Sequence, residues 1–291
     1  MTTTVTTATT LTTKQASATP QASQASQTPQ ASPSTTLKRI TYALSPWLVP
    51  FVILAAWQAV TAGGIVSPTI FPTPASVVQA AIDLSATGEL WTDILVSTER
   101  ALAGFVIGGS IGFLLGLLNG LSRWSFRLLD ATVQMVRTIP QLSLLPLVIV
   151  WFGVSEAGKV FLVALGCLFP MYINTLGGIR GVDHDLIEMG RVYGLNKRQI
   201  IGSIVFPAAL PSILIGVRYT LGIMWLMLIF AETVAADSGI GFLAANAREF
   251  MQLNIIVLSI IIYALLGKLS DSIAKFFEHH FLGWYFSKEA A

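Results

Sequence analysis

Long charge-free apolar stretches alternate with short polar connections along this chain. No Asp, Glu, Lys or Arg occurs in 40–82, 101–122, 138–155, 160–179 or 250–267. A helix needs about 20 predominantly apolar residues to cross a bilayer. The pattern therefore predicts six membrane spans, at about 46–62 (starting as early as 40), 102–121, 133–152, 160–176, 213–231 and 253–269. Prolines at 68, 72 and 74 stop the first span from continuing, and 75–98 reads as a moderately amphipathic surface helix leading into the second. Gly104, Gly108, Gly112, Gly116 and Gly120 recur every fourth residue. That spacing stacks them on one helical face and predicts a tightly packed neighbour for the second span.

Composition turns this pattern into an exclusion. Of 291 residues, 54% are hydrophobic and 11% charged, against about 25% charge in soluble domains. An ordinary soluble enzyme is excluded, and so is a single-span receptor, because no large polar domain remains between the apolar runs. A net charge of +2 without a basic patch gives no reason to expect nucleic acid. The single cysteine, Cys167, lies within an apolar run and reads as a packing residue. His184, His279 and His280 lack metal-ligand spacing, so neither a catalytic residue nor a metal site is expected. Residues 1–36 are rich in Thr, Ser, Ala and Gln and read as a disordered tail. A six-span domain occupies 37–284, 285–291 form a short tail, and the first span is expected to remain uncleaved.

The few charges that remain orient the spans. With the N-terminus in the cytoplasm, 14 Lys and Arg residues fall inside and only Arg100, Lys159 and Arg248 outside. This is the bias of the positive-inside rule. Six crossings then return the C-terminus to the cytoplasm.

The longest inside connection after the tail is a cytoplasmic loop at about 178–211. Asp183 is placed to cap a short helix, Gly194 interrupts it, and Asn196 restarts a second one running to Pro207. Leu186, Ile187, Val192 and Leu195 provide apolar positions that are costly to leave in water, which suits a docking element. No lysine-bearing phosphate loop is present, so ATP hydrolysis is not expected of this chain. In the third span, Pro140 and Pro146 free backbone carbonyls and are placed to set a bend, and Gln141 and Ser143 offer polar contacts beside a candidate path. Met224, Trp225 and Met227 in the fifth span suit an alkyl chain or a gate, or simple helix packing. Arg137 and Arg218, near the inner ends, either snorkel to the interface or attract an anion toward the exit. Glu232 and Asp237, at the outer end of the fifth span, would repel an anion and are expected to anchor a loop or contact a partner.

The loop resembles the signature segment of permease subunits of ATP-binding cassette importers. That segment starts Glu-Ala-Ala, has glycine six residues after the Glu, and ends Ile-x-Leu-Pro. Here Glu188, Met189 and Gly190 stand at its start, Gly194 at its glycine, and Ile204, Phe206 and Pro207 at its end. The spacing matches, with Met and Gly for the alanines and Phe for the leucine. The likeness extends over about 45–284. It is strongest to the aliphatic-sulfonate type, within a branch that also serves taurine, nitrate and bicarbonate, and is carried by stretches such as QMVRTIPQLSLLPLVIVWFGVSEAGKVFLVALG and GVRYTLGIMWLMLIFAETVAADSGIGFLAANAREF.

The resemblance implies an all-α membrane protein with six transmembrane helices in the type I ABC importer permease fold. It implies residence in a bacterial inner (plasma) membrane, a second copy of the permease, and two cytoplasmic ATPase subunits that hold ATP and Mg. A periplasmic or lipid-anchored substrate-binding protein would deliver an organic sulfonate anion. This chain itself would hold no cofactor. An ion-coupled secondary transporter is the alternative class; it would call for inverted repeats and broken midplane helices.

Overall fold

The computed structural model describes residues 48–61, 63 and 71–282. The 1–36 tail, the segment 37–47 and the C-terminal 283–291 lie outside the described residues. The chain divides between Val52 and Ile53. Of the first unit only 48–52 are described, as the opening of a helix; the helical bundle belongs to the second.

Every regular element among the described residues is helical. They are α1 (Leu48–Thr61), α2 (Pro74–Thr87), α3 (Glu89–Leu121), α4 (Arg123–Arg137), a 3-10 turn (Gln141–Leu144), α5 (Leu145–Phe152) and α6 (Glu156–Arg180). After α6 come α7 (His184–Val192), α8 (Lys197–Ile200), a π turn (Ile201–Val205), α9 (Phe206–Ala235), α10 (Ile240–Glu249) and α11 (Leu253–Phe281). Four uninterrupted helical stretches are long and apolar enough to cross a membrane: Glu89–Leu121, Glu156–Arg180, Lys197–Val234 and Leu253–Phe281. A fifth crossing exists if α4 and Gln141–Phe152 count as one. The expected first span is represented by the 14-residue α1, its earlier part lying outside the described residues.

The third expected span bends, and the second short helix of the loop runs further than expected. The third is not one rod: its halves meet at 81°. Proline has no N–H to donate and disfavours helix in the residue before it. The α4 ladder accordingly closes at Thr138 and Ile139, whose amides reach back to Met135 and Val136. Pro146, by contrast, lies in the first turn of α5, where no amide partner is needed, and bends nothing. The second short helix of the loop also does not stop at Pro207. It runs through the π turn into α9, and the proline falls in the first turn of the resumed α-ladder.

The glycine stripe has α6 as its neighbour. A Cβ on Gly104 would strike Val163, one on Gly108 the carbonyl of Ala164, and one on Gly112 the carbonyl of Leu168. Lower down, Gly116 meets Thr175 and the Tyr172 carbonyl, and Gly120 meets Ile179. The paired residue numbers rise together, so α3 and α6 are parallel and touch backbone to backbone. On its other side α6 packs antiparallel to α9, with Gly166 against Met227, Asn174 against Gly216 and Gly178 against Ser212. Trp225 donates to Ser270 of α11 at 2.9 Å. Cys167 is buried between α6 and α9, as its packing role requires.

Replacing Gly108 by Leu should therefore lower stability by about 3 kcal/mol or more, read as a fall in detergent melting temperature or loss of folded protein. Gly177→Ala, which meets nothing within 4 Å, should be neutral or slightly stabilising.

Candidate coupling loop and translocation elements

The loop after α6 is built by local capping. The Asp183 carboxylate accepts the Asp185 amide at 3.0 Å and starts α7. Gly194 ends it at φ +78°, a left-handed conformation that glycine adopts without strain. Asn196 and Gln199 then form a reciprocal capping box that starts α8. Gly190 is buried, and a Cβ there would press on Ile204; the glycine that departs from the family's alanine is what lets α7 lie against the π turn. The helices expose Met189, Val192 and Tyr193 while Ile200 and Val205 are buried in the bundle. Glu188 is exposed and faces His184 at 3.6 Å. Ile204 is half-buried, and Phe206 points outward at the start of α9. The eight loop residues singled out from the sequence thus form one unit attached directly to a membrane helix.

The candidate path residues separate into two groups. Pro140, Gln141 and Ser143 gather at the break, and Pro146 follows one turn later; Pro140, Ser143 and Pro146 are exposed and Gln141 half-buried. Met224 and Trp225 lie instead in the main hydrophobic core with Leu228 and Tyr263, and Met227 fills the space left by Gly166. Within one chain all three are packing residues. The outward stripe of α9 runs through Ile215, Tyr219, Gly222 and Leu226, which line a groove of about 520 Å³ together with Arg218 and residues of α11. Phase around the helix decides this, since adjacent residues differ by 100° and a run of large apolar residues does not reveal which face is inward.

Arg137 is exposed in the last turn of α4. Arg218 is not a bare cation. Its Nε donates to Asp271 at 2.6 Å, and its Nη1 lies 3.6 Å from Glu278. Asp271 also draws Lys275 at 3.1 Å and Lys268 at 3.5 Å.

The opposite end of the bundle holds a network that the sequence only hinted at. Arg100 of α3, 5% exposed, pairs with Glu232 of α9 at 2.8 Å and makes a bidentate contact with Glu156 at the start of α6. Glu232 is 1% exposed and also accepts from Ser97, Tyr263 and the Gly241 amide at 2.8, 3.0 and 2.9 Å. Asp93 accepts the Gly239 amide at 2.7 Å, and Ser97 accepts that of Ile240 at 2.9 Å. These carboxylates and the hydroxyl satisfy the free N–H groups at the start of α10. Glu232 therefore anchors the following loop, while Asp237 remains exposed. Lone opposite charges at the same end of apolar runs were the available signal.

At the loop end, Asn119 of α3 donates to the Tyr172 hydroxyl at 2.9 Å, which donates to Asp130 of α4 at 2.7 Å. Arg180 stacks over Phe126, 3.4 Å from its ring centre. These contacts hold the otherwise exposed α4 against α3 and α6. Nothing in the apolar pattern marked them.

Residues 108–282 match the family model of the binding-protein-dependent transport system inner membrane component. The chain belongs to this family. It is 53% identical over 260 residues to the aliphatic sulfonates transport permease protein SsuC of Escherichia coli (strain K12), covering 88% of this chain and 99% of that one. It is 44% identical to the Bacillus subtilis (strain 168) protein of the same name, over 83% and 88% of the two chains. The taurine transport system permease protein TauC of E. coli (strain K12) is 28% identical, over 80% of this chain and 87% of that one.

Among solved structures, an amino acid ABC transporter matches with a TM-score of 0.57 at 16% identity, covering 69% of this chain and 97% of that one. The inward-facing MetNI methionine ABC transporter matches at 0.50 and 20%, covering 65% and 94%. The type I importer permease fold is thereby established, and the chain is a multi-pass membrane component of a transport system. The three relatives are named as transport permease proteins.

Removing one partner of the buried pair should be costly, because it leaves an uncompensated charge. Arg100→Met should destabilise by about 3–5 kcal/mol, and Arg100→Met combined with Glu232→Gln by less than the sum of the single changes. Thermal unfolding in detergent would measure both.

Proposed function

We propose that this chain is the permease subunit of an ATP-driven importer of aliphatic sulfonates. The observation that carries this reading is 53% identity extending over 99% of the E. coli sulfonate permease. Taurine and nitrate permeases align at 28% and 30%, which favours sulfonate over those substrates. The working unit pairs two copies of the chain with two ATPase subunits, which bind ATP and Mg. A binding protein delivers substrate at the end bearing Arg100. Both termini and the α7–α8 loop face the cytoplasm; the 14-to-3 distribution of basic residues supports this orientation.

The geometry suits transmission of force. The two short helices pack on the π turn, which continues into an unbroken stretch, Lys197–Val234. At 1.5 Å per residue this lever is about 55 Å long. Its far end is held by Glu232 to α3, α10 and α11. A displacement imposed on Glu188, Met189 and their neighbours by the ATPases is therefore carried toward the outer end along one continuous helical stretch. The 81° break beside Pro140 supplies irregular backbone next to the passage, where freed carbonyls and Gln141 and Ser143 offer polar contacts.

Gly194→Val should strain the left-handed turn by about 1–2 kcal/mol and uncouple ATP hydrolysis from uptake; unchanged transport by the reconstituted complex would count against the coupling role. For substrate, calorimetry on the cognate binding protein should give tight binding of alkanesulfonates and weaker binding of taurine and nitrate. Tight nitrate binding without sulfonate binding would reverse the choice.

A further inference from the structure

A second cavity, of about 500 Å³, opens behind the coupling loop, between α7–α8 and the adjoining ends of α3 and α6. Its walls are apolar, formed by residues such as Ile179, Ile187, Leu195 and Ile200. Its charged lining is of one sign. Arg123, Arg191 and Lys197 border it, and no carboxylate does. None of these three side chains has an ion pair or hydrogen bond among the described residues. His184, also at the rim, is engaged by Glu188. Arg100, Lys159, Arg180, Arg218, Lys268 and Lys275 have partners; Arg127, Arg137, Arg198 and Arg248 also have none among the described residues, but only Arg123, Arg191 and Lys197 converge on one apolar cavity.

The residue next to Arg123 is Trp124, 74% exposed. Both begin α4, an amphipathic helix with no buried residue that carries Arg127 and Arg137 and exposes Leu128 and Met135. The start of such a basic, Trp-bearing amphipathic helix has the composition favoured near lipid headgroups. Asn119, Tyr172 and Asp130 tie it to the bundle. The cavity thus combines an apolar floor and three uncompensated cations, and it borders the start of the amphipathic, Trp-bearing α4.

We propose that this cavity binds an anionic phospholipid, its headgroup phosphate on Arg123, Arg191 and Lys197 and the upper part of an acyl chain on the floor. A small soluble anion would use the cations but leave the apolar floor wet. Lipid carries both parts. The site adjoins the loop through which the proposed ATPases act, so the occupant would tune coupling; its assignment to the inner leaflet rests on the orientation proposed above.

The test uses the permease–ATPase complex in nanodiscs, with phosphatidylglycerol and phosphatidylcholine as probes. Native mass spectrometry should show wild-type complex retaining phosphatidylglycerol preferentially through delipidation. Arg191→Gln with Lys197→Gln should reduce that retention about tenfold, and Ile187→Trp, which fills the floor with the cations intact, should reduce it similarly. Arg198→Gln, one residue outside the cavity, should retain lipid like wild type. ATP turnover should rise with phosphatidylglycerol content in wild type and be flat in the double variant. Equal retention by wild type and double variant would overturn the proposal. So would displacement of the lipid by hexanesulfonate, which would make the occupant a free amphiphilic anion, or loss of the ATPase subunit from the double variant with lipid retained. Retention is read without transport, so an error in the substrate assignment would not alter it.

Discussion

Backbone contact between α3 and α6 is the interaction on which the remaining architecture depends. Lipid tails are as apolar as the side chains of the spans, so association within a bilayer gains little from burying leucine and relies on close packing. Five glycines on one face of α3 allow that approach, and each meets a defined position on α6. The contact sets the parallel register of the two helices. It leaves the opposite side of α6 to receive α9, again through small residues. The central position of α6, the most buried of the long helices, follows from having close contacts on both sides.

The two ends of the bundle held together in this way differ in electrostatic character. At the Arg100 end, charges are buried and paired, and they also satisfy the amides that begin α10. A half-satisfied network of this kind would be worse than an apolar one, which accounts for the number of donors converging on Glu232. At the loop end, cations are more numerous and several are uncompensated. One end is internally complete. The other retains charge, exposed apolar side chains and short capped helices that suit external contacts.

The shape of the loop follows from the same economy. Asp183, Asn196 and Gln199 supply caps, and Gly194 supplies a turn, so two very short helices persist without a core of their own. Gly190 then brings α7 onto Ile204. Because the π turn carries the chain past Pro207 without a break, the loop and α9 behave as one element. A linker would have needed none of these features.

Much of this was legible in the residues. The apolar runs, the glycine spacing and the distribution of Lys and Arg determine a membrane bundle, a close helix pair and a capped loop, because each depends on local periodicity or on transfer to lipid. The loop motif also identifies the family. Three matters belonged to the tertiary structure alone. It turned Met224 and Trp225 into the core, because rotation of α9 is set by its neighbours and not by its composition. It placed the bend of the third apolar run at Pro140 and not at Pro146, because Pro146 falls in the first turn of α5 where no amide partner is needed. It joined Arg100 to Glu232 across 132 residues of sequence and Asn119 to Tyr172 and Asp130, because polar partners in a bundle are chosen by depth along packed helices. Sequence determined which segments enter the membrane; packing decided which face of each looks inward and where the remaining charges meet.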